Sequence, residues 1–191
     1  PWQEPAAIVP PRDLRGLRED YDFPFHSTIA TTTIANVMAG NLSVNRSFAL
    51  SLGGFDENFV GAAYRFETEF SKRWRQAGGN ICYCPEASIN HLRIPSGGTR
   101  SKGDHRASAD PRHGVGDYYY AMRHGGRVEC LTYSLHRMLR EVLTRFHATH
   151  PWYIPVKLVG ELRAMAWARR LVHAGPKLLT MTEPVTTGES N

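Results

Sequence analysis

Arg65-Phe66-Glu67-Thr68-Glu69-Phe70-Ser71-Lys72-Arg73-Trp74-Arg75-Gln76-Ala77-Gly78-Gly79 reads as a helix with a hard stop. Phe66, Phe70, Trp74 and Ala77 recur at helical spacing as one apolar stripe, and the glycine pair ends it. At about 100° per residue, Glu67 falls about 65° from the centre of that stripe, beside Trp74, and Glu69 about 95° away on the other side. Glu69 precedes Arg73 by one turn, which suits a surface helix pair contributing a few tenths of a kcal/mol. Glu67 has Ser71, not a cation, at the same spacing.

Outward from this helix the pattern is mixed. Residues 34 to 44 are small and β-prone and are expected to form a strand broken near Gly40-Asn41. A short helix should start at Arg46, capped by Asn45 and stopped by Gly53-Gly54. Residues 81–83 and 87–91 read as short strands about the Pro85-Glu86 turn. Residues 93 to 115 carry Gly, Ser, Pro, Asp, Arg and His with few apolar side chains, the composition of a mobile loop. Helices are expected over 117–124, 128–147 and 152–173, followed by a disordered tail over 176–191, and residues 1–33 are expected to be an ordered proline-rich loop. The expected domains are therefore an α/β front over 1–115 and a helical extension over 116–175.

Net charge is +5, with no block of like charges, so the bland reading is a solvated basic surface. Nucleic-acid binding has only this charge for support, without aromatic-basic interleaving, and no nucleic-acid partner is expected. Three cysteines, Cys82, Cys84 and Cys130, leave one over from any pairing, and buried reduced thiols in a cytoplasmic chain are expected. Lys157, Glu161, Arg163 and Arg169 interrupt the longest apolar stretches, so no segment spans a bilayer. Trp152, Tyr153 and Trp167 beside Lys157, Arg163, Arg169 and Arg170 could nonetheless rest on the anionic inner face of a membrane, against the plainer reading of a helix packed on its own domain.

Residues 39 to 91 resemble the second half of the family 2 glycosyltransferases. The resemblance rests on Ala39-Gly40-Asn41-Leu42-Ser43-Val44-Asn45-Arg46, then Gly53-Gly54-Phe55-Asp56-Glu57, then Arg65-Phe66-Glu67-Thr68-Glu69-Phe70. Arg73, Gly78, Pro85-Glu86-Ala87 and His91 follow in order, and the region from Tyr118-Tyr119-Tyr120 to Gly125 matches more loosely. The resemblance implies an α/β chain with a partial GT-A fold and a helical C-terminal tail. It also implies inverting transfer of a sugar from a nucleotide-diphosphate donor to a hydroxyl of a saccharide or lipid-linked acceptor, in polysaccharide synthesis for the cell envelope.

The family's catalytic base is the acidic pair opening the helix after the Gly-Gly-Phe-Asp turn. Here Phe66 replaces the first member and Glu67 matches the second, which makes Glu67 the expected base; the plain alternative is a helix-start charge. Gly40, Asn41, Asp56, Arg65, Glu69 and Arg93 are the expected substrate-binding positions, with Asp56 open to a turn or capping role. The glycines would permit positive φ or close backbone approach. His91 would reach a divalent metal, Mn²⁺ or Mg²⁺, or the diphosphate. Arg93, Arg100, Lys102 and Arg106 would close over the diphosphate. Asp20-Tyr21-Asp22 lies in too polar a setting for the family's metal-binding Asp-x-Asp, so the nucleotide-binding half is expected elsewhere in a longer gene product. A non-catalytic saccharide-binding or membrane-peripheral assembly module is the alternative to an enzyme.

Overall fold

A computed structural model describes residues 16–17, 34–89 and 104–180. The helices are α1 (Arg46–Ser51), α2 (Phe66–Gln76), α3 (Val115–His124), α4 (Arg127–Val142), α5 (Arg145–Thr149) and α6 (Tyr153–Ala174). Tight 3-10 turns occupy Ala39–Asn41, His105–Ala107 and Pro111–His113.

The expected α/β architecture, a partial GT-A half, is overturned. Among the described residues there is no sheet, and Tyr83 alone is a bridge residue. Two of the segments expected as strands meet in a single backbone bond among the described residues, Ile34 N–H to Ile81 O at 3.4 Å. Side chains take the groups that a ladder would need. The Asn36 side-chain oxygen accepts from Val37 N–H at 2.8 Å, and the Asn41 amide donates to Ala87 O. This is the competition that Asn offers to regular structure.

The helix signals act where they stand. The Asn45 side chain accepts from Phe48 N–H at 2.9 Å and starts α1, while Gly53 and Gly54, at φ 79° and 65°, take the left-handed turn that follows it. The helix expected over 128–147 is split, because Thr144 caps a new helix by accepting from His147 N–H. His147 is fully buried there, its Nε2 donating to Arg106 O at 3.0 Å and its Nδ1 facing Thr144 Oγ1 at 2.8 Å.

The core is built around α3. Tyr118, Tyr119 and Tyr120 are consecutive and almost wholly inaccessible, which a helix allows only when it is covered on every side. α6 packs on α3, with Ala164 and Ala168 fully buried, and a β-carbon on Gly160 would lie 3.0 Å from Ala109 Cα, so small residues let it approach. On the opposite side a β-carbon on Gly116 would fall 2.3 Å from Tyr64 O. This close approach sets the start of α3 against the entrance of α2.

α2 is less one-sided than its stripe implies. Phe70 is buried, but so are Thr68, Glu69 and Ser71, while Ala77 is exposed. Phe66 and Phe70 pack on Phe55, and Trp74 on Phe48.

From Asp104 onward the segment expected as a loop forms two turns, each started by a side chain: Asp104 accepts from Arg106 N–H and Asp110 from Arg112 N–H. Within the segment assigned to the tail, Lys177 O accepts from Glu57 N–H and Leu179 N–H donates to Gly53 O. Cys82 and Cys84 are exposed and Cys130 half-buried, all three as free thiols, which corrects the expectation of burial. No helix among the described residues is long and apolar enough to cross a membrane.

Candidate functional site

The chain enters α2 through unusual backbone. Ala63 and Arg65 have φ of 54° and 75°, left-handed values that cost a non-glycine residue about 1–2 kcal/mol each. Such strain persists only where the surroundings over-determine it. Here Ala62 N–H donates to Arg112 O at 3.0 Å, and Tyr64 lies under Gly116. The Arg65 guanidinium donates to Asp117 Oδ1 at 3.0 Å and to the Tyr133 hydroxyl at 3.2 Å.

This kinked entrance opens into a cleft of about 360 Å³. Asn36, Tyr64, Arg65, Glu67 and Thr68 form one wall, and Asp117, Arg137, Arg140 and Glu141 line it from α3 and α4. His105 and His113 complete the lining, their rings 5.5 Å apart.

The three carboxylates of the cleft differ in their surroundings. Asp117 is buried, which alone would raise its pKa, but Arg137, Arg65 and the Tyr133 hydroxyl outweigh burial and hold it below the usual range. Glu141 is likewise lowered, burial being outweighed by Arg137 and Lys157. Glu67 shifts the other way. Burial raises its pKa above 4.5, and the one opposing contact is Ala39 N–H, which donates to Oε1 at 2.7 Å. No cation among the described residues pairs with it.

Behind the cleft lies a buried ionic cluster with balanced charge. Arg137 bridges Asp117 and Glu161, the latter at 3.1 Å, and Lys157 bridges Glu161 at 2.9 Å and Glu141 at 3.2 Å. Tyr118 donates to Glu161 at 2.8 Å. With Arg65 included, three cations meet three anions, the arrangement that allows buried charge to remain ionised. His113 shares this environment: burial first, then the nearby charges of His105 and Lys157, lower its pKa and favour the neutral ring.

Of the residues singled out from sequence, the fold brings Glu67 and Arg65 to the cleft. Gly40 and Asn41 are exposed in the turn whose first residue, Ala39, holds Glu67. A β-carbon on Gly40 would meet nothing within 4 Å and its φ is not left-handed, so neither reason given for a glycine there applies.

Asp56 is away from the cleft and 2% exposed. It accepts from Asn58 N–H, Lys177 N–H and the Tyr119 hydroxyl, fastening the turn after α1 to α3 and to the chain beyond α6. Glu69 is fully buried, which corrects the surface-pair reading. Arg73 grips it bidentately at 2.7 and 2.8 Å and also donates to Leu52 O and Gly54 O. Burial would raise the pKa of Glu69, but His124, Arg73 and Arg123 together lower it.

His91, Arg93, Arg100 and Lys102 lie outside the described residues. Arg106 is engaged by Asp104 at 2.7 Å and sits over the Phe146 ring. Among the described residues no group of three or more His, Cys, Asp or Glu could hold a metal ion, and His91, the expected ligand of Mn²⁺ or Mg²⁺, is not one of those residues.

The sequence reading missed Asp117, Arg137, Arg140, Glu141, His105 and His113. Asp117 carried a signal, an acidic residue among three buried tyrosines, but its partners are far away in sequence. Comparisons with protein-family models, with curated proteins and with solved structures find no match to this chain.

Proposed function

We propose that the protein is a glycosyltransferase component in which Glu67 is the general base. An acceptor hydroxyl in the cleft gives its proton to Glu67 as its oxygen bonds to the anomeric carbon of a nucleotide-diphosphate sugar. The bond from that carbon to the diphosphate oxygen breaks with its electron pair, and the configuration inverts. The observation that carries this reading is the isolation of Glu67. It is the cleft carboxylate that no cation among the described residues pairs with, and burial raises its pKa, the direction that makes a carboxylate a better proton acceptor.

Two further features support the reading. Strained backbone at Ala63 and Arg65 aims the helix that carries Glu67, and such strain clusters at functional sites. Tyr64 is 55% exposed at the cleft, an aromatic face suited to a sugar ring. Asp56 and Glu69 are buried away from the cleft lining and hold the turn that precedes α2.

The test is Glu67→Gln, assayed as release of nucleoside diphosphate from UDP-, GDP- and dTDP-hexoses with saccharide acceptors. The expected result is loss of transfer with donor affinity unchanged. Turnover retained by the variant would remove the assignment.

A further inference from the structure

α4 is folded inside out. Its inward residues are Tyr133, Ser134 and Arg137, the last belonging to the buried ionic cluster. Its outward residues are Val128, Leu131, Leu135 and Leu139, with Leu143 just beyond, exposed by 76, 69, 56, 47 and 76%. On a helical projection the first four fall within about 80° of one another, roughly opposite Arg137. α6 repeats the inversion: Lys157 and Glu161 are buried, while Trp152, Val156, Val159 and Leu162 are exposed. A soluble surface rarely leaves such a continuous apolar stripe uncovered.

The charges around these helices identify what covers the stripe. Arg127, Arg140, Arg145, Arg163, Arg169 and Arg170 are all exposed. The acids between residues 127 and 180 are Glu129, Glu141 and Glu161, and none of them is exposed. Glu129 accepts from Leu17 N–H, and the other two belong to the ionic cluster. Arg140 turns to the cleft and pairs with Glu141 at 3.5 Å, and Arg163 donates to Ala109 O, whereas Arg127 and Arg145 flank the stripe with no exposed acid among residues 127–180. A second copy would bring arginines against arginines.

We infer that the outward face of α4 docks on a phospholipid surface rich in anionic headgroups, its leucine stripe entering the acyl boundary and the arginines meeting phosphate. This is the behaviour of an amphipathic helix lying in the plane of a bilayer. It differs from a surface built on Tyr153, Trp167 and Lys157, since Lys157 faces inward and the other two are half-buried. The inference does not depend on the role of Glu67.

The experiment is co-sedimentation of the full chain with vesicles of phosphatidylcholine alone and of phosphatidylcholine with phosphatidylglycerol. The protein should pellet with the anionic vesicles, remain soluble with the neutral ones, and be released as salt rises. Leu131→Gln with Leu135→Gln should weaken the anionic binding at least about tenfold, since each leucine loses its apolar burial. Both positions face solvent, so far-UV circular dichroism should be unchanged. Arg127→Gln with Arg145→Gln provides a second variant that leaves the stripe intact and should also weaken binding. Equal behaviour with both vesicle types overturns the proposal, as does undiminished binding by both variants. A dimer in sedimentation velocity that the leucine variant dissociates, without vesicle binding, would assign the face to a second copy instead.

Discussion

Arg137→Met removes one cation from a cluster of three cations and three anions. Arg137 touches Asp117, Glu161 and, at 3.9 Å, Glu141, and its side chain is 6% exposed. Methionine leaves Asp117 with Arg65, Glu161 with Lys157, and Glu141 with Lys157 and the more exposed Arg140. Breaking a buried pair from one side costs about 3–5 kcal/mol, and the remaining cations place this site near the lower end, about 3 kcal/mol. For a chain of this size that corresponds to a fall in Tm of about 6–12 °C.

The loss should also depend on pH. Asp117 and Glu141 have folded pKa values below their unfolded values of 3.8 and 4.5, so their stabilisation is complete above those values and vanishes as pH falls through the folded ones. In the variant both carboxylates titrate closer to their unfolded values. The stability difference between the two proteins should therefore be full at neutral pH and shrink below about pH 4. Urea unfolding at several pH values measures it. A loss under about 1 kcal/mol at neutral pH, or a gap that widens in acid, would refute the view that Arg137 neutralises this cluster.

Gly116→Ala should cost about 1–3 kcal/mol, because its β-carbon would lie 2.3 Å from Tyr64 O, outweighing the better helix propensity of alanine; thermal unfolding reads the loss. Thr144→Ala removes the cap of α5 and should cost about 1 kcal/mol in urea unfolding. Cys82 and Cys84 should react with a maleimide in the native protein well before Cys130, as mass spectrometry of timed samples would show.

Sequence reveals elements whose signals are local. Asn45 and Gly53-Gly54 bound α1, and the phenylalanine row marks α2, because cap, stop and period act within a few residues. The expected strands failed because a strand needs a partner, and Asn36 and Asn41 give its backbone groups to side chains. Glu69 was misplaced for a related reason. Its pairing with Arg73 was visible at one-turn spacing, but the cover supplied by Arg123 and His124 was not.

The cleft was half legible. Glu67 and Arg65 stand beside each other at a helix entrance. Asp117 lies 52 residues from Arg65 and 20 from Arg137, and only tertiary packing joins them. The leucines of α4 show the greatest ambiguity. Their spacing states that one face is apolar, and nothing in it states that this face points outward.

Glu67 as proton acceptor is tested most directly by the pH dependence of kcat/KM for nucleoside diphosphate release, measured beside Glu67→Gln. Because burial raises the Glu67 pKa, the acid limb should lie above 4.5, with activity falling as pH drops through it, and the variant should lack both the limb and the rate. An acid limb retained unchanged in an active Glu67→Gln protein would contradict the account.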